Sequence, residues 1–131
     1  MDDRRVFKTR YFKRWMYKTE LTDITLCQAV NEMQSGLIDA DLGGGVVKKR
    51  VGVAGRGKRG GLRTLLATNR GSRWFFIYGF AKNEMPNVSS IERKALQRLA
   101  SDLLLFEPRQ LHKAILIGDL QEICHGTQHE N

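Results

Sequence analysis

The chain of 131 residues has two cysteines, two prolines and three histidines, and no apolar stretch near the ~20 residues that a membrane helix needs. Arg4, Arg5 and Lys8 near the start are not followed by the apolar block of a secretory signal. Cys27 and Cys124 are isolated, without CxxC spacing, so neither a disulfide framework nor a zinc site is indicated, and a reducing cytoplasm is the expected setting. His112, His125 and His129 all lie beyond Pro108. The body of the chain therefore lacks a histidine acid–base pair, and Cys124, His125 and His129 in a polar tail make a poor ligand set. Gly55-Arg56-Gly57-Lys58-Arg59-Gly60 formally matches G-x-G-x-x-G, but the residues after it are strand-like and no GKS or GKT is present, so no nucleotide loop is implied. Neither metal nor cofactor is expected.

Acid is also missing where base is most abundant. No Asp or Glu occurs between Val46 and Arg73, a stretch holding Lys48, Lys49, Arg50, Arg56, Lys58, Arg59, Arg63, Arg70 and Arg73. A second basic block, Arg4 to Lys18, includes Lys8, Arg10, Lys13 and Arg14, with no acid until Glu20. With 22 Lys and Arg against 14 Asp and Glu, the net charge is +8, which favours phosphate-rich polymers or an acidic protein as partners. Two such blocks either converge on one ligand or form a solvated surface.

The apolar fraction of 41% and charged fraction of 27% are those of an ordinary globular chain with one core. Phe7, Tyr11 and Trp15 recur every four residues, predicting an amphipathic helix from Val6 to Tyr17 with its aromatic stripe in the core rather than against a base. Thr22 or Asp23 caps a second helix whose Leu26, Val30 and Met33 share a face, and Gly36 ends it. Leu37 to Gly45 is expected to be a loop.

Three strands come next: Val46–Val53, Leu62–Thr68 and Arg73–Ala81, the last two joined in a hairpin by Asn69-Arg70-Gly71-Ser72. Period two puts Trp74, Phe76, Tyr78 and Phe80 on one face and Phe75 and Ile77 on the other, as in a central strand covered on both sides. Ser89-Ser90-Ile91-Glu92 is a capping box opening a helix whose Ile91, Ala95, Leu99 and Leu103, with Leu96 and Leu104 adjoining, face the sheet. Pro108 halts it. Residues 1–107 are expected to form the domain. Residues 108–131 read as a C-terminal extension, roughly helical in spacing and then frayed. The order is that of an α+β protein.

Three pieces carry a resemblance: Gly36-Leu37-Ile38-Asp39-Ala40-Asp41-Leu42-Gly43-Gly44-Gly45, Gly57-Lys58-Arg59-Gly60-Gly61-Leu62-Arg63 and Tyr78-Gly79-Phe80-Ala81-Lys82-Asn83-Glu84. In that order and spacing, over about residues 12–105, the chain resembles the RelE/ParE toxin superfamily, in particular its HigB-like branch. The resemblance implies a small twisted, mainly antiparallel sheet flanked by N-terminal helices and a C-terminal helix, in agreement with the element order. It implies a type II toxin that cuts messenger RNA, often in the ribosomal A site, and is silenced by an antitoxin encoded beside it, a helix-turn-helix or acidic protein. Messenger RNA and the ribosome are then partners; a membrane is not.

Cleavage of this kind sends a ribose 2′-hydroxyl against the adjacent phosphate, and such toxins manage the protons and charge largely with Lys and Arg. The implied catalytic residues are Arg63 for the phosphate, Lys82 as acid or base, Lys58 as a supporting cation and Glu84 as an alternative base. Arg56, Arg59, Lys48 and Lys49 would follow the RNA backbone. Asn83 would contribute hydrogen bonding, in a place where some relatives carry Arg. Tyr78 would stack on a base or fill the core. Two other functions stay open: a ParE-like gyrase poison, which needs no catalytic residues, and a non-catalytic nucleic-acid-binding module held by charge alone.

Overall fold

The N-terminal segment, expected as a single helix, is a strand followed by a short helix: β1 (Arg5–Thr9) and α1 (Arg10–Met16). This is seen in a computed structural model, which describes residues 4–53, 57–81 and 89–124, apart from the side chains of Val53 and residues 57–60. Val6, Phe7 and Lys8 are all buried because β1 runs inside the sheet, and a strand covered on both faces loses the alternation that marks a half-exposed one. The four-residue spacing of Phe7, Tyr11 and Trp15 is therefore coincidental. Phe7 stacks on Phe75 with ring centroids 5.0 Å apart, while Trp15 packs in the opposite layer. Thr9 makes the switch from strand to helix, its hydroxyl accepting from the backbone N–H of Phe12.

The remaining elements are α2 (Asp23–Gln34), β2 (Ala40–Gly43), β3 (Val46–Val53), β4 (Gly57–Thr68), β5 (Arg73–Ala81), α3 (Ser90–Leu104), α4 (Pro108–Leu116) and β6 (Leu120–Ile123). The strands form one sheet in the order β2-β3-β4-β5-β1-β6. Among the described residues only β1 and β5 pair in parallel; the other pairings are antiparallel, so the α+β expectation holds. Helices α1 and α2 cover one face through Phe12, Met16, Leu26 and Val30 against Val47, Leu66, Trp74 and Phe76. Helices α3 and α4 cover the other through Ala100, Leu103, Leu111 and Ala114 against Val46, Leu65, Phe75 and Ile77. Thr22 caps α2, and Asn69–Ser72 makes the expected reversal between β4 and β5, with Arg70 at φ 64°.

The expected loop over Leu37–Gly45 contains β2, an edge strand on β3. Gly43, Gly44 and Gly45 turn between them at φ 84°, 62° and 84°. Here α3 closes over the turn, with Gln97 Nε2 donating to the carbonyl of Leu42 at 2.9 Å. A Cβ on Gly44 would stand 2.8 Å from Gln97 Cγ, so both the left-handed backbone and its cover require glycine.

A bulge in β5 corrects the expected alternation of the aromatic strand. Leu65 pairs with Tyr78 and Leu66 with Phe76, leaving Ile77 as the extra residue. Trp74 and Phe76 face α1 and α2, but Tyr78 and Phe80 join Phe75 and Ile77 on the α3/α4 face. Gly79 turns instead toward Trp15, so close that a Cβ would lie 2.3 Å from the indole.

In α3 the capping box of Ser89 and Glu92 forms as expected, but the sheet-facing stripe is rotated. Ala100 and Leu103 are buried, with Leu96 and Leu104 beside them, whereas Ile91 is 80% and Leu99 37% exposed. Ala100 is small enough to let the helix settle against the glycine turn, where Leu104 approaches the position of a Cβ on Gly45 to 3.0 Å. The segment after Pro108 joins the same fold: Leu111 is fully buried and β6 pairs with β1. Arg10 fixes the end of α4, donating to the carbonyls of Ile117 and Gly118 and pairing with Asp119. Arg5 makes a two-pronged pair with Glu122, both bonds 2.8 Å, and Glu122 holds the guanidinium pKa above its ordinary value.

The cysteines, expected to be unpaired, are joined as Cys27–Cys124, tying α2 to the end of β6. Their separation of 97 residues puts the pairing beyond any local spacing rule. Among the described residues no helix is long and apolar enough to cross a membrane.

Candidate nucleic-acid interface

Strand alternation sorts the basic run of β3 and β4 into groups with different fates. Lys49 points toward α2, is 3% exposed, and donates to Glu32 at 2.8 Å and to the carbonyl of Leu37 at 2.9 Å. Its ammonium thus secures α2 to the sheet, away from the surface where RNA contact was expected. Arg50 and Lys48 fall on the other face. Arg50 pairs with Asp39, which also accepts from the Arg50 backbone N–H at 2.7 Å. Lys48, opposite Leu65, is half-buried and makes no ion pair among the described residues. Arg70, farther along, pairs with Asp41.

Arg63 on β4 stands directly opposite Arg50 on β3 and opposite Phe80 on β5. Like charges facing each other across an antiparallel pair are destabilising, so this pairing is not explained by sheet formation. Asp39 answers the charge of Arg50 only. Arg63 is half-buried, and its Nη1 is buried without a hydrogen-bond partner among the described residues. An orphaned buried donor costs about 1–3 kcal/mol, and more when charged. The rest of the half-buried guanidinium, on the same face as Arg50 and without an acid of its own among the described residues, leaves a local excess of positive charge suited to an anion.

An aromatic row lies next to this cationic pair. Tyr78, on the same face, is the diagonal neighbour of Arg63, and its ring meets Phe80 at 6.2 Å. Tyr11 of α1 stacks on Tyr78 with centroids 5.7 Å apart and planes 3° from parallel, yet remains 59% exposed. Burial first, then Tyr11 and Glu92, pushes the Tyr78 phenol above its ordinary pKa. At neutral pH it is an uncharged donor and a stacking surface.

Of the residues predicted from sequence, the structure brings Arg63, Lys48 and Tyr78 onto one face and turns Lys49 to the other. Lys58 and Arg59 belong to β4, but their side chains lie outside the described residues. Arg56, Lys82, Asn83 and Glu84 lie outside them entirely. Two residues on this face were not among the predicted site residues. Arg50, named only as part of the basic run, was legible from its period-two relation to Lys48, whereas Tyr11 was assigned to the core by the helix that joined it to Phe7. The second basic block is largely taken up internally: Arg4 donates to Asn31 and Gln34, Lys8 to Asp23, and Arg10 to the end of α4.

The family model described as the RelE toxin of the RelE/RelB toxin–antitoxin system matches residues 4–123. No curated protein matches the chain closely enough to count as a relative.

Proposed function

The chain belongs to the RelE toxin family, and from that premise we propose that this toxin of a toxin–antitoxin system is an RNA endonuclease that cuts messages during translation. The observation that carries the reading is Arg63, half-buried, directly opposite a second arginine, Arg50, and with no acid paired to it among the described residues. A phosphodiester supplies the missing negative charge. The ribose 2′-oxygen attacks phosphorus while its proton passes to a base. The bond to the 5′-oxygen breaks as that oxygen takes a proton, leaving a 2′,3′-cyclic phosphate and a 5′-hydroxyl. Arg63 stabilises the charge that grows on the phosphoryl oxygens, in the manner of a preorganised electrostatic site. Lys82 is assigned the proton transfer and Glu84 the alternative base, with Lys58 sharing charge; these roles rest on the sequence resemblance. Lys48, Arg56 and Arg59 follow the backbone, and Asn83 hydrogen-bonds. The cognate antitoxin is the partner that silences the site, a role suited to a helix-turn-helix or acidic protein.

The test is expression of the wild type, Arg63→Ala and Lys82→Ala, with growth, RNA integrity and a DNA-damage reporter followed together. Each substitution is expected to abolish growth arrest and message loss while leaving the thermal unfolding transition in place. Toxicity retained in both variants removes this site assignment. Growth arrest with intact messages and a DNA-damage response instead identifies a gyrase poison.

A further inference from the structure

We propose that Asp39 is a positioning residue, whose carboxylate holds the guanidinium of Arg50 in place opposite Arg63 so that both arginines meet one phosphodiester. This role rests on the RNA reading above and adds to it a residue that acts through Arg50 without touching the RNA itself.

β2 pairs with β3 only from Val46 to Lys48, so the outer edge of β3 at Arg50 has no strand beside it. Asp39, the residue before β2, takes that place with its side chain. One carboxylate oxygen accepts from the Arg50 backbone N–H at 2.7 Å and the other from Arg50 Nε at 3.1 Å. Asp39 is itself fixed from both sides. Its own N–H donates to the carbonyl of Lys48 at 3.0 Å, and two residues earlier the carbonyl of Leu37 accepts from the buried ammonium of Lys49.

Closing a bare strand edge needs one acceptor oxygen, which an asparagine or serine supplies. The second oxygen does something else: it grips the side chain of the same arginine whose backbone the first one holds. A guanidinium carries five N–H donors, and Asp39 takes only the one on Nε. The four on Nη1 and Nη2 have no partner among the described residues, and the Arg50 side chain is 45% exposed. Arg50 is thus held at one end and open at the end that forms a fork for phosphate oxygens. It stands directly across from Arg63, and a cation fixed before the reaction stabilises growing charge without having to be reoriented.

Fixing Arg50 and neutralising it have opposite consequences for RNA. A carboxylate beside a phosphate site weakens ground-state binding, because it offsets a cation that would otherwise attract the backbone. Loss of Asp39 should therefore leave affinity unchanged or tighter and yet slow the cut.

The experiment follows single-turnover cleavage of a defined message in purified ribosomes with an open A site, with full-length toxin in excess. The rate at saturating toxin and the toxin concentration giving half that rate are read separately. Asp39→Asn leaves an oxygen for the Arg50 backbone N–H but sets an amide against Nε, so its unfolding transition should stay in place. Its saturating rate is expected to fall about ten- to a hundredfold, the loss that misplacement of a reacting group produces. The half-saturating concentration should not rise. In an Arg50→Ala background, already slow, adding Asp39→Asn should change the rate by no more than about twofold, since the two residues act as one unit. A wild-type rate in Asp39→Asn or in Arg50→Ala overturns the role. So does a loss that multiplies with that of Arg50→Ala, or a raised half-saturating concentration together with a lowered unfolding transition, which marks a merely structural residue. In each of these cases a wild type that cuts leaves the RNA reading standing. If the wild type leaves the message intact, both fail.

Discussion

A methyl group at residue 79 would stand 2.3 Å from the indole of Trp15, which itself packs against Phe12 with ring centroids 5.3 Å apart. Gly79 is also the residue between Tyr78 and Phe80, whose rings the bulge sends to the opposite face. Gly79→Ala is therefore expected to destabilise the fold by about 1–3 kcal/mol through overpacking, read from the denaturant midpoint. It should disturb the Tyr11–Tyr78 stack at the same time. Lys49 and Arg63 show how one strand pair divides its cations. Lys49 is held by Glu32 and Leu37, while Arg63 faces Arg50 with a donor unmet among the described residues. The first stabilises the domain; the second is the local inconsistency that sheet formation alone would not select.

At the scale of elements, legibility depended on how each piece is covered. The capping box at Ser89, the Thr22 cap and the Asn69–Ser72 turn act over a few residues, and all three formed as the sequence indicated. β1 could not be read from its pattern because both of its faces are buried and Lys8, a charged residue, is among those inside. β2 and β6, four residues each, are too short to carry a period and exist through pairing with β3 and β1. The face that α3 presents is set by the glycine turn beneath Ala100 and Leu104, a contact between segments more than fifty residues apart in sequence. This rotation is testable. Leu103→Ala should cost about 2–5 kcal/mol, whereas Ile91→Ser should change stability by no more than ~0.5 kcal/mol, both from chemical denaturation. Equal costs would restore the stripe suggested by periodicity. Of the site, the cations near Arg63 were legible as composition; their division between two faces required the strand register.

For the molecule as a whole, the link from Cys27 to Cys124 spans α2, β2 to β5, α3, α4 and β6. By restricting the unfolded chain, a cross-link over such a distance stabilises the fold by about 2–4 kcal/mol. The double substitution Cys27→Ser, Cys124→Ser should lower the denaturant midpoint accordingly. Reductant should do the same to the wild type and nothing to the variant. Insensitivity of both would mean that the thiols are unpaired in solution. β1 lies between β5 and β6 in the sheet, and the sulfur bridge ties the end of β6 to α2.

That bridge has one further consequence, for a chain that a protease has cut. A single peptide bond broken anywhere between residues 27 and 124 leaves both pieces attached through sulfur. On a denaturing gel such nicked protein migrates as one band until a thiol is added and then as two, so damage to the toxin would pass unseen in any assay run without reductant.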